Sequence, residues 1–310
     1  MIRYTLRRLL QGAITVWFIA TATFIAMHAA PGDPLLNAKA TTAAIRANLE
    51  QKYGLDKPLF TQYVVYMSNM SRGDFGISFA QQNRTVNDII RETFPISATL
   101  GMLALLFATA GGVLLGTLSA LYRNKLPDIA IMFLVILGVS VPSFVFASLG
   151  QLALVKINEW TGVSLLPVAG WGTLQHMLLP SLVLGLGTLA LLARLMRSTM
   201  LEVVNADYIR TARAKGLSPT RVVVHHQMRN ALLPVLTVLG PQIAAITTGG
   251  FVAELVFSIP GLGRYFVQAV QQSDYTVIMG TTVFYGAFLV LMVIAVDLLY
   301  GVVDPRVRLK

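Results

Sequence analysis

The sequence contains no cysteine among its 310 residues. This absence excludes disulfide bonds, thiolate ligands for a metal ion and a cysteine nucleophile. Charged residues are also scarce: they make up 12% of the chain, against roughly 25% in soluble domains. Because 55% of the residues are hydrophobic and the mean hydropathy is +0.67, the composition indicates a membrane protein.

Sequence motifs for catalysis are absent as well. No Gly-x-x-x-x-Gly-Lys-Ser/Thr loop for ATP, no Gly-x-Ser-x-Gly elbow and no His-Glu-x-x-His zinc motif occurs in the chain. We therefore expect no catalytic residue, no metal site and no cofactor in this chain. The net charge of +10 could suggest nucleic acid, but the basic residues flank apolar segments. This arrangement favours anionic membrane lipid as the partner and not nucleic acid.

Six apolar stretches are predicted to cross the membrane as helices. A basic N-terminus before the first stretch is typical of a signal peptide, but the uncharged run is too long for one and predicts a retained span. The motif Gly112-x-x-x-Gly116 predicts close helix packing in the second span. Interruptions are expected at Ser140-Val141-Pro142-Ser143 in the third span and at Gly240-Pro241 in the fifth. The spans lie at residues 9–32, 93–122, 129–155, about 180–193, 231–253 and 277–303.

The distribution of basic residues predicts the orientation. Fifteen of the 24 Lys and Arg fall in the N-terminal tail, the second and fourth loops and the C-terminal tail, whereas the two short outer loops hold only Lys156 and Arg264. Both termini are therefore predicted to be cytoplasmic. The expected organisation is a tail and first span (1–30), an extracytoplasmic loop with short helices at Thr41–Tyr53 and Leu59–Met70 (31–94), a five-helix core (95–303) and a cytoplasmic tail (304–310).

The longest polar interruption in the second half is the predicted cytoplasmic loop at about 194–230. It contains seven Lys or Arg and only two acidic residues. Asn205 is a plausible N-cap and Gly216 a C-terminal stop, so a short helix is predicted between them. Ser218-Pro219 predicts a second helix start. A basic loop of this kind can simply set the topology, or it can bind a cytoplasmic partner.

The residues of this loop resemble the coupling loop of ABC importer permeases, in particular the oligopeptide/dipeptide group. Gly216 and Ala212 match the general importer pattern, whereas Arg210 and Thr211 stand in place of its Glu-Ala, and His226 in place of its Ile. Other stretches are similar to the first permease subunit of such importers: Arg7-Arg8-Leu9, Pro31-Gly32-Asp33-Pro34, Tyr53-Gly54-Leu55, Gly73-Asp74-Phe75-Gly76-Ile77-Ser78, Val141-Pro142-Ser143-Phe144, Ile259-Pro260-Gly261-Leu262-Gly263, Asp274-Tyr275 and Asp304-Pro305-Arg306.

The resemblance implies an all-α membrane protein with the type I ABC importer permease architecture, in a bacterial plasma (inner) membrane. It implies a second homologous permease, two ATPase subunits that bind ATP and magnesium, and an extracytoplasmic peptide-binding protein that delivers dipeptides or oligopeptides. Importers of nickel chelates and of glutathione share this permease type. The stretch expected to contact the ATPases comprises Asp207, Tyr208, Arg210, Thr211, Ala212, Gly216 and Leu217.

Polar residues within the predicted spans suggest a translocation path, although hydroxyl residues more often pack helices together. Asp297 is the acidic residue well inside a span, and an intramembrane carboxylate can serve proton coupling or a structural ion pair. A proton-coupled secondary transporter that uses Asp297 is therefore an alternative, and a receptor or scaffold without transport is a third. The candidate path residues are Ser140, Ser143, Gln242, Thr247 and Thr248.

Overall fold

The computed structural model describes residues 2–30, 50–51, 54–81, 84–248 and 250–303. These residues form twelve α-helices and one π-helical segment, and an isolated antiparallel bridge joins Ile77 and Thr85. The π-helical segment spans Val222–Met228. In chain order the helices are α1 (Ile2–Ala29), α2 (Leu59–Ser71), α3 (Val86–Leu121), α4 (Leu126–Ser140), α5 (Ser143–Thr161), α6 (Leu174–Val203), α7 (Asp207–Ala214), α8 (Pro219–Arg221), α9 (Arg229–Thr248), α10 (Phe251–Val256), α11 (Leu262–Gln271) and α12 (Tyr275–Val303).

Several of these helices are long and apolar enough to cross a membrane. Among the described residues, five reach that length alone, and a sixth span results if α4 and α5 are counted together. This pattern confirms the prediction of an all-helical, multi-pass membrane protein.

The pair α4 and α5 shows the form of the interruption that the sequence predicts in the third span at 129–155. The two helices meet at an angle of 107°. Val141 is extended (φ −91°, ψ 127°) and ends α4, because the residue before a proline is disfavoured in the helical region. Pro142, which lacks an N–H, then precedes α5. The predicted interruption is therefore a complete change of helix direction.

One compact unit comprises residues 99–259 and the end of α12. In it, α3 packs closely on α6 through Gly112 and Gly116. A Cβ added at Gly112 would lie 2.8 Å from Leu192 Cβ, and one at Gly116 would lie 2.5 Å from the Ala193 carbonyl oxygen. The two backbones can approach this closely because neither glycine has a side chain, which confirms the predicted packing motif.

The end of one span and the interior of another differ from the sequence-based prediction. Helix α6 continues to Val203 and not to about residue 193, because Met196 and Met200 are buried against Ala231 and its neighbours in α9. The two arginines at 194 and 197 therefore belong to a helix and not to a loop. Helix α9 also passes through Gly240-Pro241 without a break, since Leu239 and Ile243 pack against a core that holds this turn in place.

A second compact unit comprises the described residues of 1–98 together with 260–294. Its core is formed where the start of α3 meets α11 and α12, with Val86, Ile89, Leu262 and Val277 fully or almost fully buried. Helix α2 confirms the helix predicted at Leu59–Met70. Other expectations fall on residues outside the described ranges: most of the helix at Thr41–Tyr53, the motif at 31–34 and the tail at 304–310.

Candidate functional site

The loop predicted at about 194–230 begins, after the end of α6, with a short turn and the eight-residue helix α7, Asp207–Ala214. Its N-cap is Ala206, so the expectation that Asn205 caps the helix is wrong; Asn205 lies in the turn that follows α6. Asp207 occupies the first turn and Arg213 the last, and both charges have the sign that the helix dipole favours at their respective ends.

Helix α7 ends at Gly216, as the sequence predicts. Gly216 has φ +77°, its N–H donates to the Arg213 carbonyl (2.9 Å), and the Leu217 N–H donates to the Ala212 carbonyl (3.4 Å). These two bonds form the Schellman arrangement, which satisfies carbonyl groups at the helix end and requires a left-handed residue. Gly216 therefore acts through its conformation, since no atom lies within 4 Å of an added Cβ.

The loop has a hydrophobic core of its own. Ile209 is 0% exposed, Ala212 5% and Val222 2%, and Leu217 packs against this cluster after the glycine turn. The buried face of α7 is thus attached to the π-helical segment that contains Val222. Ala212, one of the expected partner contacts, is enclosed in this core.

The opposite face of α7 is open. Tyr208 is 44% exposed, the Arg210 side chain is 74% exposed and that of Asp207 is 97% exposed. The Arg210 and Asp207 side chains are 3.7 Å apart, an exposed pair of little energetic weight. Thr211 is exposed and its hydroxyl donates to the Asp207 carbonyl (3.0 Å). Four of the seven predicted contact residues therefore share one accessible surface.

The second half of the loop joins the following span directly. Ser218 is the N-cap residue of α8 and Pro219 its first residue, as predicted. The π-helical segment follows without interruption and leads into α9. The expected second short helix is therefore the N-terminal extension of a long apolar helix.

An ion pair that the sequence reading missed joins the start of α4 to α6, beside the end of α3. Arg197 donates from Nε and Nη2 to the two oxygens of Asp128, both at 2.8 Å. The same carboxylate accepts from the Ser119 hydroxyl and from the Asn124 N–H (2.9 Å), and Asp128 is only 3% exposed. The two residues are 69 positions apart, so the only sequence signal was a basic and an acidic residue near predicted span ends.

The five candidate path residues fall into different environments. Ser140 and Ser143 are exposed on either side of the 107° bend. Gln242 accepts a hydrogen bond from the Thr188 hydroxyl (2.9 Å), and Thr248 donates to the Ala244 carbonyl (2.6 Å). Thr247 is 2% exposed and lies against Gly101, so it occupies a helix contact.

Asp297, the residue of the proton-coupling alternative, lies half-buried in α12. Within the described residues, no group of three or more His, Cys, Asp or Glu is placed to hold a metal ion.

Long apolar helices joined by a compactly folded polar loop are the features of a multi-pass membrane protein. The chain belongs to the family described as "Binding-protein-dependent transport system inner membrane component", whose model matches residues 112–309. The N-terminal model of the same membrane components matches residues 1–101. The chain is accordingly a transmembrane permease of an ABC importer.

Curated relatives cover the chain almost completely. It is 46% identical to the dipeptide transport system permease protein DppB of Bacillus subtilis, over 100% of this chain and 99% of the relative. It is 42% identical to the oligopeptide transport system permease protein OppB of Haemophilus influenzae, over 99% and 100% of the two chains. The OppB protein of Salmonella typhimurium is 39% identical over the same shares.

Two solved structures share the fold at low sequence identity. A chain of the MetNI methionine ABC transporter in an inward-facing conformation matches with a TM-score of 0.54 and 15% identity, over 70% of this chain and 96% of that chain. An amino acid ABC transporter matches with a TM-score of 0.50 and 13% identity, over 71% and 95%. These matches establish the ABC importer permease fold.

Proposed function

We propose that the chain forms half of the membrane channel of an ATP-driven importer for dipeptides or oligopeptides. The names of relatives that are 39–46% identical over nearly the whole chain support a peptide as substrate. The expected assembly contains a second homologous permease, two ATPase subunits and an extracytoplasmic peptide-binding protein. ATP and magnesium are bound by the ATPases, and the site in this chain is the surface that contacts them.

The proposed topology has six spans in a bacterial plasma (inner) membrane, with both termini in the cytoplasm. It requires that α4 and α5 together count as one crossing despite their 107° bend. The excess of basic residues in the loops assigned to the cytoplasm supports the orientation. The proposed organisation keeps residues 31–94 outside and the five-helix core at 95–303.

The proposed coupling surface is the open face of α7. The observation that carries this proposal is the loop core of Ile209, Ala212 and Val222, which joins α7 to the π-helical segment and through it to α9. When the ATPases close on ATP, a groove that holds α7 would move it as a rigid body. The motion would pass to α9 and switch the path between inward-open and outward-open states.

In this arrangement the predicted contact residues have two roles. Tyr208, Arg210 and Thr211, with Asp207, present side chains to the ATPase. Ala212, Gly216 and Leu217 set the shape and position of α7 from within the loop. For the path itself, the accessible or half-buried positions Ser140, Ser143, Gln242 and Thr248 remain the proposed lining, whereas Thr247 lies in a helix contact.

The test is a charge reversal on the open face. Arg210→Glu in the tagged chain should reduce co-purification of the ATPase subunits and abolish ATP-driven peptide uptake, with the protein still inserted in the membrane. Arg123→Glu, an exposed basic residue in the α3–α4 connection, is the matched control and should keep both activities. Wild-type ATPase recovery and uptake in the Arg210 variant would refute the coupling surface.

The substrate class is tested separately in reconstituted vesicles with the binding protein present. Unlabelled dipeptides or oligopeptides should inhibit uptake of a labelled peptide, whereas nickel chelates or glutathione should not. Inhibition by a nickel chelate or by glutathione alone would assign the chain to those importers and leave the coupling proposal intact.

A further inference from the structure

Two rows of side chains, called here the basic line and the apolar line, lie next to each other on the helical segment that leads into α9. Arg221, His225 and Arg229 are spaced four residues apart, and so are Val224, Met228 and Leu232. The π-helical segment makes i to i+5 hydrogen bonds, so residues four or five apart lie on nearly the same side of its turns. Each line therefore follows one side of the helix.

Both lines form the wall of one open groove. The groove has a volume of about 680 Å³ and is lined by all six of these residues together with Leu217 and His226. Val224 is 47% exposed, a high value for a large apolar side chain next to a folded loop core. Met228 and Leu232 are half-buried against the core formed by α6 and α9. The groove therefore combines a partly exposed apolar wall with a basic rim.

The basic rim has no acidic counterpart in the described part of the chain. Neither Arg221 nor Arg229 forms an ion pair or a side-chain hydrogen bond with any described residue. The acidic residues of the loop are Glu202 and Asp207, and Asp207 faces Arg210 on α7. Two exposed guanidinium groups about two turns apart thus present ten N–H donors to an external anion.

The position of the groove favours a lipid over the ATPase as its occupant. Met228 and Leu232 lie where the apolar run of the α9 span begins, so the apolar wall continues directly into the membrane-crossing helix. The open face of α7 points away from the core of Ile209 and Val222, through which the opposite face of α7 packs on this segment. A ligand that fits must carry an anionic group at the rim and an apolar chain along the wall.

We propose that this groove binds one anionic phospholipid of the cytoplasmic leaflet, with its phosphate between Arg221 and Arg229 and an acyl chain along Val224, Met228 and Leu232. The bound lipid would hold the π-helical segment Val222–Met228, which joins the loop to α9, at the membrane surface. This inference goes beyond the transport activity, because it assigns a ligand to a surface outside the proposed path residues and the open face of α7.

The experiment is native mass spectrometry of the full-length chain in detergent, titrated with phosphatidylglycerol. Phosphatidylcholine serves as the zwitterionic lipid, and inorganic phosphate as the anion without an acyl chain. The wild type should bind phosphatidylglycerol more tightly than phosphatidylcholine, and phosphate should not displace it. Arg221→Gln with Arg229→Gln should weaken phosphatidylglycerol binding by about 30-fold, at about fivefold per arginine near an anionic surface.

Two further variants distinguish a built site from general surface charge. Arg221→Lys with Arg229→Lys keeps the charge and should retain most of the binding. Arg123→Gln with Lys125→Gln removes the same charge from another exposed connection and should change binding by less than about twofold. If the double glutamine variant does not elute as a folded protein, the two single variants carry the test, each with about a fivefold loss.

Three results would overturn the proposal. The first is an equal loss of lipid binding in the control at 123 and 125. The second is displacement of phosphatidylglycerol by inorganic phosphate. The third is unchanged lipid binding in the glutamine variant together with loss of the ATPase subunits, which would make the groove a protein contact. This last result is distinct from failure of the coupling surface, which is measured at Arg210.

Discussion

The carboxylate of Asp274 accepts a hydrogen bond from the hydroxyl of Ser78, a residue 196 positions earlier in the chain. The same carboxylate accepts the backbone N–H groups of Phe79 and Ala80, both at 3.1 Å, and of Val277 at 3.3 Å. Asp274 is only 2% exposed. The Asp274 side chain thus caps the N-terminus of α12 and attaches residues 78–80, which precede α3, to that helix.

Replacing Asp274 by Ala should therefore release the segment around residues 78–80. Four donors would lose their acceptor, at a cost of about 1–3 kcal/mol for each buried group that water cannot reach. The measurement is limited proteolysis of the purified chain, with cleavage sites located by mass spectrometry; new cleavage near residue 80 is expected. Asp56→Ala, at an exposed turn, is the control. An unchanged digestion pattern in the Asp274 variant would contradict the role of the carboxylate.

Substitutions of Gly216 should act by straining the backbone and not by a steric clash with neighbouring atoms. Gly216→Ala is expected to cost about 1–2 kcal/mol in the left-handed region, and Gly216→Val more, because a branched Cβ restricts φ further. Uptake should therefore fall moderately with Ala and severely with Val, at equal membrane insertion. Gly187→Ala, at an open helical position, is the matched control and should be neutral. Equal uptake in the Ala and Val variants would argue against the C-cap as the cause.

The close approach of α3 and α6 predicts a strong effect at Gly116. A Cβ there would lie 2.5 Å from a backbone carbonyl that cannot move without displacing the helix. We expect Gly116→Leu to force the two helices apart and to lower the melting temperature of the detergent-solubilised chain markedly. Gly187→Ala again serves as the unaffected comparison. A melting temperature equal to that of the wild type would show that the interface can open without cost.

The protein should lose stability when Asp128 or Arg197 is replaced, and also when the two residues are swapped. Removing one partner leaves a mostly buried charge without its counter-ion. For a fully buried pair this lowers the free energy of unfolding by about 3–5 kcal/mol, and the partial exposure of Arg197 makes the expected loss smaller. The reciprocal variant Asp128→Arg with Arg197→Asp should not restore stability, because Ser119 and the Asn124 N–H would then face a donor. Thermal unfolding of both single variants and the exchange variant tests this; full recovery in the exchange variant would show that charge attraction alone matters.

Asp297→Asn separates ATP-driven uptake from proton coupling. An importer powered by ATP does not need a titrating carboxylate in α12, so reconstituted vesicles with ATP should accumulate peptide to within about twofold of the wild type. The measurement is accumulation with and without a protonophore, which should have no effect on either protein. Loss of accumulation in the variant, with ATP hydrolysis intact, would favour the proton-coupled alternative.

Features encoded by local sequence were predictable from the chain. The stop at Gly216, the start at Ser218-Pro219 and the packing motif at Gly112 depend on the conformational properties of single residues, and each is found where the sequence places it. The same local signals overestimated the effect of Gly240-Pro241. There the surrounding helices supply packing that a reading of the sequence alone does not contain.

Features that depend on distant partners could not be predicted. Asp128 and Arg197, or Ser78 and Asp274, meet only after the helices have packed, and no periodicity links them. The same limit applied to the proposed coupling loop. The sequence predicted which stretch forms it, but only the structure shows that Ala212 faces inward while Tyr208 and Arg210 face outward.

The separate core of the loop that contains α7 also bears on how such transporters can diverge. Positions that hold the loop together, such as Ile209 and Val222, are distinct from those that face outward, such as Tyr208 and Arg210. If the outward face is the proposed ATPase contact, substitutions there would change which ATPase is recognised with little effect on folding. A permease built this way would then acquire a new cognate motor subunit through a few surface changes, while the core that joins the loop to its membrane helix stays the same.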